Sequence, residues 1–123
     1  MAITIVTSLK NANGDLDSMT IPVRTQTVTQ NTAAPARVGG FQTIGTTEEA
    51  LTLVGLATNG VAHFWNRDPT NFVDIGVMPA ATYYPLVRLN AGESFIFRLA
   101  QGITPYARAD TAPVKLQKDI LDD

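Results

Sequence analysis

Turn-forming residues recur along this chain at intervals of about ten positions, and that spacing limits what it can fold into more than any other feature. Asn13-Gly14 and Asn59-Gly60 place residues that tolerate a positive φ where a hairpin needs them. Asn90-Ala91-Gly92-Glu93 is a further turn signal, and Asp68-Pro69-Thr70-Asn71 uses the preset φ of proline in a tight connection. The segments between these marks suit strands better than helices. Strands are expected over 2–9, 19–29, 38–45, 48–54, 60–66, 71–77, 83–89, 93–99 and 105–110, with 113–121 as a last strand or a short helix.

Alternation supports that reading in particular places. Val73, Ile75 and Val77 share one face, and Phe95, Phe97 and Leu99 share another, while Asp74, Ser94 and Arg98 point the opposite way. Thr46-Thr47-Glu48-Glu49-Ala50-Leu51 has the form of a capped helix start, but Gly55 follows so soon that a strand is preferred. In the last segment Val114, Leu116 and Ile120 keep a strand period, with Lys118 as the misfit, and Leu116 and Ile120 also fit a helix. The pattern predicts an all-β, antiparallel two-sheet jelly-roll sandwich of about eight strands with little or no helix. Residues 1–123 are expected to form a single β-sandwich domain, with 1–9 as an N-terminal strand or an arm engaged with a partner. The stretch from Gln30 to Arg37 has no apolar period and is expected to be an exposed loop.

Composition removes several classes of function. The chain has 123 residues, no cysteine, one histidine and a net charge of −2. Disulfides, thiolate metal sites and cysteine nucleophiles are therefore impossible. Nine basic against eleven acidic residues give no phosphate-neutralising surface, so no nucleic-acid partner is expected. No apolar run reaches membrane-spanning length and the N-terminus has no basic signal region, so no membrane partner is expected either. Only 16% of the residues are charged, against roughly 25% in an average domain. Thr25-Gln26-Thr27-Val28-Thr29-Gln30-Asn31-Thr32 carries no charge at all, which suits a surface packed against other subunits.

Catalytic constellations are not assembled by the sequence. His63 has no second histidine with which to hold a metal. Asp15 and Asp17 mimic a calcium loop without its glycine placement or distal glutamate, and a solvated hairpin is the simpler reading. Glu48-Glu49 and Asp122-Asp123 diverge in an extended chain. Ser8, Ser18 and Ser94 lack a nucleophile setting, and Val38-Gly39-Gly40-Phe41 lacks the lysine of a phosphate loop, its glycines suiting a bulge or bend. No cofactor and no enzymatic activity are expected. Phe64 and Trp65 must face opposite ways in a strand, so one is core and the other an exposed or interface aromatic. Tyr83-Tyr84 repeats that arrangement.

From Asn59 to Lys118 a longer pattern emerges. It runs through Asn59-Gly60-Val61-Ala62-His63-Phe64-Trp65-Asn66-Arg67-Asp68, Asn71-Phe72-Val73-Asp74-Ile75-Gly76, Leu89-Asn90-Ala91-Gly92-Glu93, Tyr106-Ala107-Arg108-Ala109 and Val114-Lys115-Leu116. This resembles the jelly-roll head decoration (cement) proteins of tailed bacteriophages. The Leu-Asn-Ala-Gly-Glu turn also resembles cupin barrels, whose histidine cluster has no counterpart here. The phage resemblance implies a virion structural protein on the capsid exterior, made in the host cytoplasm. It implies a homo-oligomer, most often a trimer, that stabilises the head by binding the shell of major capsid protein. Ile3, Ile5, Thr25, Thr27, Thr29, Trp65 and Tyr83 are the candidate interface residues. A tail, baseplate or head-fibre component is an alternative, and so is a host-surface carbohydrate-binding module using Trp65 or Tyr83-Tyr84. A small barrel enzyme would need a metal held despite the single histidine.

Overall fold

Apolar side chains on alternate positions of Val114–Asp122 decide the architecture of the larger part of the molecule. Val114, Leu116 and Ile120 are fully buried, so this segment is a strand throughout and the helical alternative is excluded. The computed structural model describes residues 2–7, 24–29 and 37–123, and the chain divides into two compact units, Met1–Ala34 and Pro35–Asp123. The expected hairpin at Asn13-Gly14, the Asp15/Asp17 stretch and most of the Gln30 to Arg37 loop lie outside the described residues.

In the first unit β1 (Ala2–Thr7) pairs antiparallel with β2 (Arg24–Thr29). The second unit contains β3 (Arg37–Ile44), β4 (Glu49–Ala50), β5 (Asn59–Asn66), β6 (Val73–Val77), β7 (Tyr84–Leu89), β8 (Ser94–Arg98), β9 (Tyr106–Ala109) and β10 (Val114–Asp122). They form two four-stranded antiparallel sheets, ordered β3-β10-β5-β8 and β4-β9-β6-β7. This order, with strands passing repeatedly from one sheet to the other, is the jelly-roll arrangement. Among the described residues the one helical element is the single 3-10 turn Pro79–Ala81, so the all-β expectation holds.

The core lies between the sheets. Ile44, Ala62, Phe64, Val114, Leu116 and Ile120 come from one sheet, and Val73, Ile75, Leu89, Ala107 and Ala109 from the other. Phe64 is fully buried and its neighbour Trp65 only partly so, as opposite faces of one strand require.

Two local outcomes differ from the expected strands. The segment 48–54 pairs only at Glu49 and Ala50, opposite Ala107 and Tyr106. Beyond Leu51, whose N–H donates to the Pro105 carbonyl, the Thr52 N–H is taken by the Gln42 side-chain oxygen at 3.0 Å, so the chain peels away from β9. The paired glycines of β3 introduce no bulge, because the β3–β10 register runs unbroken from Ile44 to Arg37. Gly39 is instead a matter of space: a Cβ there would lie 2.8 Å from Asp119 Oδ1. Register shifts occur elsewhere, between β10 and β5 at Ile120/Asp122 and between β6 and β7 at Ile75/Gly76, where a Cβ on Gly76 would meet the Tyr84 carbonyl at 2.0 Å.

Asn66 ends β5 as a buried tie. Its amide donates to the carbonyls of Asn71 at 2.8 Å and Leu89 at 3.0 Å, and its oxygen accepts the Asp68 N–H at 2.9 Å. Asp68 then accepts the N–H groups of Thr70 and Asn71, which hold its carboxyl below the ordinary range. Replacing Asn66 by leucine strands these groups in the interior, and a loss of about 3 kcal/mol in urea unfolding is expected. A loss below about 0.5 kcal/mol would show that the tie is dispensable.

Candidate interaction surfaces

The outward row of the β3-β10-β5-β8 sheet joins Gly39, Asp119, His63 and Ile96 across its four strands. Asp119 is ion-paired with Arg37, and its other oxygen lies 4.0 Å from His63 Nδ1. The next row contains Phe41, Gln117 and Trp65. Lys115 sits over the Phe41 ring at 4.2 Å and Arg67 over the Trp65 ring at 4.0 Å. Trp65 also donates its indole N–H to the Gly92 carbonyl at 3.0 Å. One face of this ring is therefore covered by a guanidinium, and a sugar stacking there would have to displace it.

On the β4-β9-β6-β7 sheet, the outward row is Arg108, Asp74 and Arg88. Arg88 grips the Asp74 carboxylate with two hydrogen bonds of 2.8 and 2.9 Å. Tyr83 donates its hydroxyl to the Asp74 carbonyl at 2.9 Å, and Arg108 lies 5.0 Å from its ring centre. Asp74 points away from Val73 and Ile75 as alternation requires, yet it is only 3% exposed because these side chains roof it. Glu48 faces Arg108 at 3.9 Å whereas Glu49 bonds Gln42, so the adjacent carboxylates do diverge.

Of the residues expected to form an interface, five lie in the Met1–Ala34 unit and two, Trp65 and Tyr83, in the Pro35–Asp123 unit. Trp65 and Tyr83 belong to the outer surfaces of different sheets. In the β1–β2 ribbon, Ile3 pairs with Val28 and Ile5 with Gln26, whereas Thr25, Thr27 and Thr29 pair with Val6, Thr4 and Ala2. Thr27 is exposed and Ile5 half-buried, while the side chains of Ile3, Thr25 and Thr29 lie outside the described ones.

A different surface gathers apolar groups. The edge strands β7 and β8 flank an open cleft of about 220 Å³ between the sheets, lined by Ile75, Val77, Leu86, Val87, Phe97, Leu99, Ile103 and Pro105. Leu86 is 70% exposed, and Ile103, Phe95 and Tyr84 are also exposed on or near this flank. Phe95 packs on Phe97 with ring centres 4.9 Å apart. A second shallow apolar hollow, lined by Val77, Met78, Pro79, Ile103 and Tyr106, continues the cleft. The sequence signals for this flank were the uninterrupted Phe95-Ile96-Phe97 run and Pro85, a residue confined to strand edges.

Among the described residues no three His, Cys, Asp or Glu side chains converge as a metal site, and no helix is long and apolar enough to cross a membrane. No family model and no curated protein matches the chain. Among solved structures there is a match to a chain of the Bacillus endospore appendages, described as disulfide-linked pili, at 12% identity and a TM-score of 0.46 over 72% of this chain and 82% of that one. The expectation of a viral, bacteriophage protein is corrected here, since the matching structure is a bacterial pilus protein. At this similarity the match does not speak to what the chain does.

Tyr83 gives the outer surface a titration signature. Burial, reinforced by the nearby Asp74 charge, pushes its hydroxyl up to about 12 from an ordinary 10.0. The folded state therefore holds this proton more tightly than the unfolded state. The corresponding stability is present in full below pH 10 and is lost as pH rises towards about 12. A phenolate absorbance titration should show one tyrosine ionising near 12 that disappears in Tyr83→Phe. An unchanged high-pH limb in that variant would contradict the assignment.

Proposed function

We propose that this chain is a non-enzymatic structural module that packs into a larger protein assembly through the β7–β8 flank, with a second copy of the chain as its neighbour. The observation that carries this reading is the apolar cleft between two open strand edges, with Leu86 70% exposed at its rim. Contiguous apolar surface of this kind marks contact sites, and burying Leu86 alone is worth about 2 kcal/mol. The low charge of the chain points the same way, because an uncharged surface costs little to desolvate.

In such a role the module decorates or lines a shell or fibre of repeated subunits. Each contact is modest, and many copies together stabilise the assembled form because they bind it and not its dissociated parts.

Sedimentation velocity of the full chain tests this reading. The wild-type protein is expected to form a concentration-dependent oligomer, and Leu86→Glu and Ile103→Glu are expected to remain monomeric with unchanged circular dichroism. Both positions are exposed, so neither change disturbs the core. A wild-type chain that stays monomeric at every concentration reached, or variants that associate as well as it does, would overturn self-association through this flank.

A further inference from the structure

Lys118 occupies an inward position of β10, between Leu116 and Ile120, and is only 4% exposed. Its ammonium donates to Gln42 Oε1 at 2.6 Å and to the Thr52 carbonyl at 2.8 Å. With a C=O bond of about 1.23 Å, Nζ is held within about 3.8 Å of the Gln42 Cδ carbon. Around that carboxamide stand two more groups. The Thr52 N–H donates to Oε1 at 3.0 Å, and Gln42 Nε2 donates to Glu49 Oε1 at 3.2 Å. The other Glu49 oxygen is anchored by the Gly45 N–H at 3.1 Å.

A nucleophile, an electrophilic carbonyl, an oxyanion donor and a carboxylate thus meet in one partly enclosed place. We propose that Lys118 and Gln42 form an autocatalytic isopeptide bond that joins β10 to β3. Burial pushes the Lys118 amine below its ordinary range and so enlarges its neutral fraction. The neutral Nζ attacks Cδ, and the carbonyl electron pair moves onto Oε1, where the Thr52 N–H stabilises it. In the tetrahedral adduct Nζ and Nε2 share the Cδ carbon, and the proton shed by Nζ reaches Nε2 by way of the Glu49 carboxylate, which already accepts a hydrogen bond from Nε2 at 3.2 Å. The Cδ–Nε2 bond breaks, the carbonyl re-forms and Nε2 leaves as ammonia. One amide N–C bond forms, one breaks, nothing is oxidised or reduced, and no co-reactant is consumed.

The bond is internal to one unit and independent of any assembly partner. It restricts the unfolded chain much as a disulfide would, in a chain that has no cysteine with which to make one. Reductants would leave it intact.

Intact-mass spectrometry of the folded wild-type chain is the test. The expected mass is lower than the sequence mass by one ammonia, and a tryptic digest should yield one branched species carrying both Gln42 and Lys118. Glu49→Gln, which keeps the size of the side chain but not its proton transfer, should slow formation about a hundredfold. Lys118→Met should retain its full sequence mass. If that variant fails to fold, the wild-type and Glu49→Gln masses still decide the matter. A folded wild-type chain that keeps its full mass after prolonged incubation overturns the proposal. So does a lost ammonia that maps to a succinimide at Asn13-Gly14 or Asn59-Gly60.

Discussion

The Pro35–Asp123 unit depends on β10 burying Val114, Leu116 and Ile120 on one side while it pairs with strands on both edges. β10 bonds β3 on one side and β5 on the other, and Val114, Leu116 and Ile120 drive its inner face into the core. Phe64 and Ala62 then have a neighbour of fixed register to pack beside, and the second sheet closes over them through Val73, Ile75 and Ala107. Placing a lysine in this row is costly unless its donors are satisfied. Gln42 and the Thr52 carbonyl meet that requirement. The same demand explains why the chain leaves β9 after Ala50, since the Thr52 backbone is committed to the polar cluster around Lys118 rather than to a sheet ladder.

Satisfied polar groups also organise the far end of the sandwich. Asn66 binds the start of the 68–71 turn and the end of β7 from one buried amide, and Asp74 is neutralised under Arg88 on the outer side of the second sheet. Among the described residues, Tyr84, Leu86, Phe95, Ile96 and Ile103 leave apolar surface uncovered on or near the β7–β8 flank, where an apolar cleft opens between the sheets, while Phe41 and Val54 are exposed elsewhere. The assembly proposal follows from that distribution.

How much of this was legible in the sequence depended on the range of the interactions. Strand alternation is local, so Val73, Asp74 and Ile75, or Phe64 and Trp65, could be assigned to faces without knowing their neighbours. The Lys118 irregularity was visible too, but not its resolution, because Gln42 and Thr52 are far away along the chain. Trp65 and Tyr83 stood out as aromatics of the exposed kind. The Arg67 and Arg108 groups laid over them, and their separation onto different sheets, follow only from strand order. The β7–β8 flank was hardest to see. Leu86 and Ile103 are ordinary apolar residues in sequence, and their exposure is set by the gap between two sheet edges. The residue pattern carried the jelly-roll architecture further than it carried the virion resemblance, since turns and alternation report folding rather than a partner.

Amide hydrogen exchange as a function of protein concentration tests the central claim most directly. If copies pack through the β7–β8 flank, amides of Tyr84–Leu89 and Ser94–Arg98 gain protection as concentration rises, while those of β3 and β4 at the opposite edges do not change. Protection that is independent of concentration, or that grows at β3 and β4 instead, would contradict it.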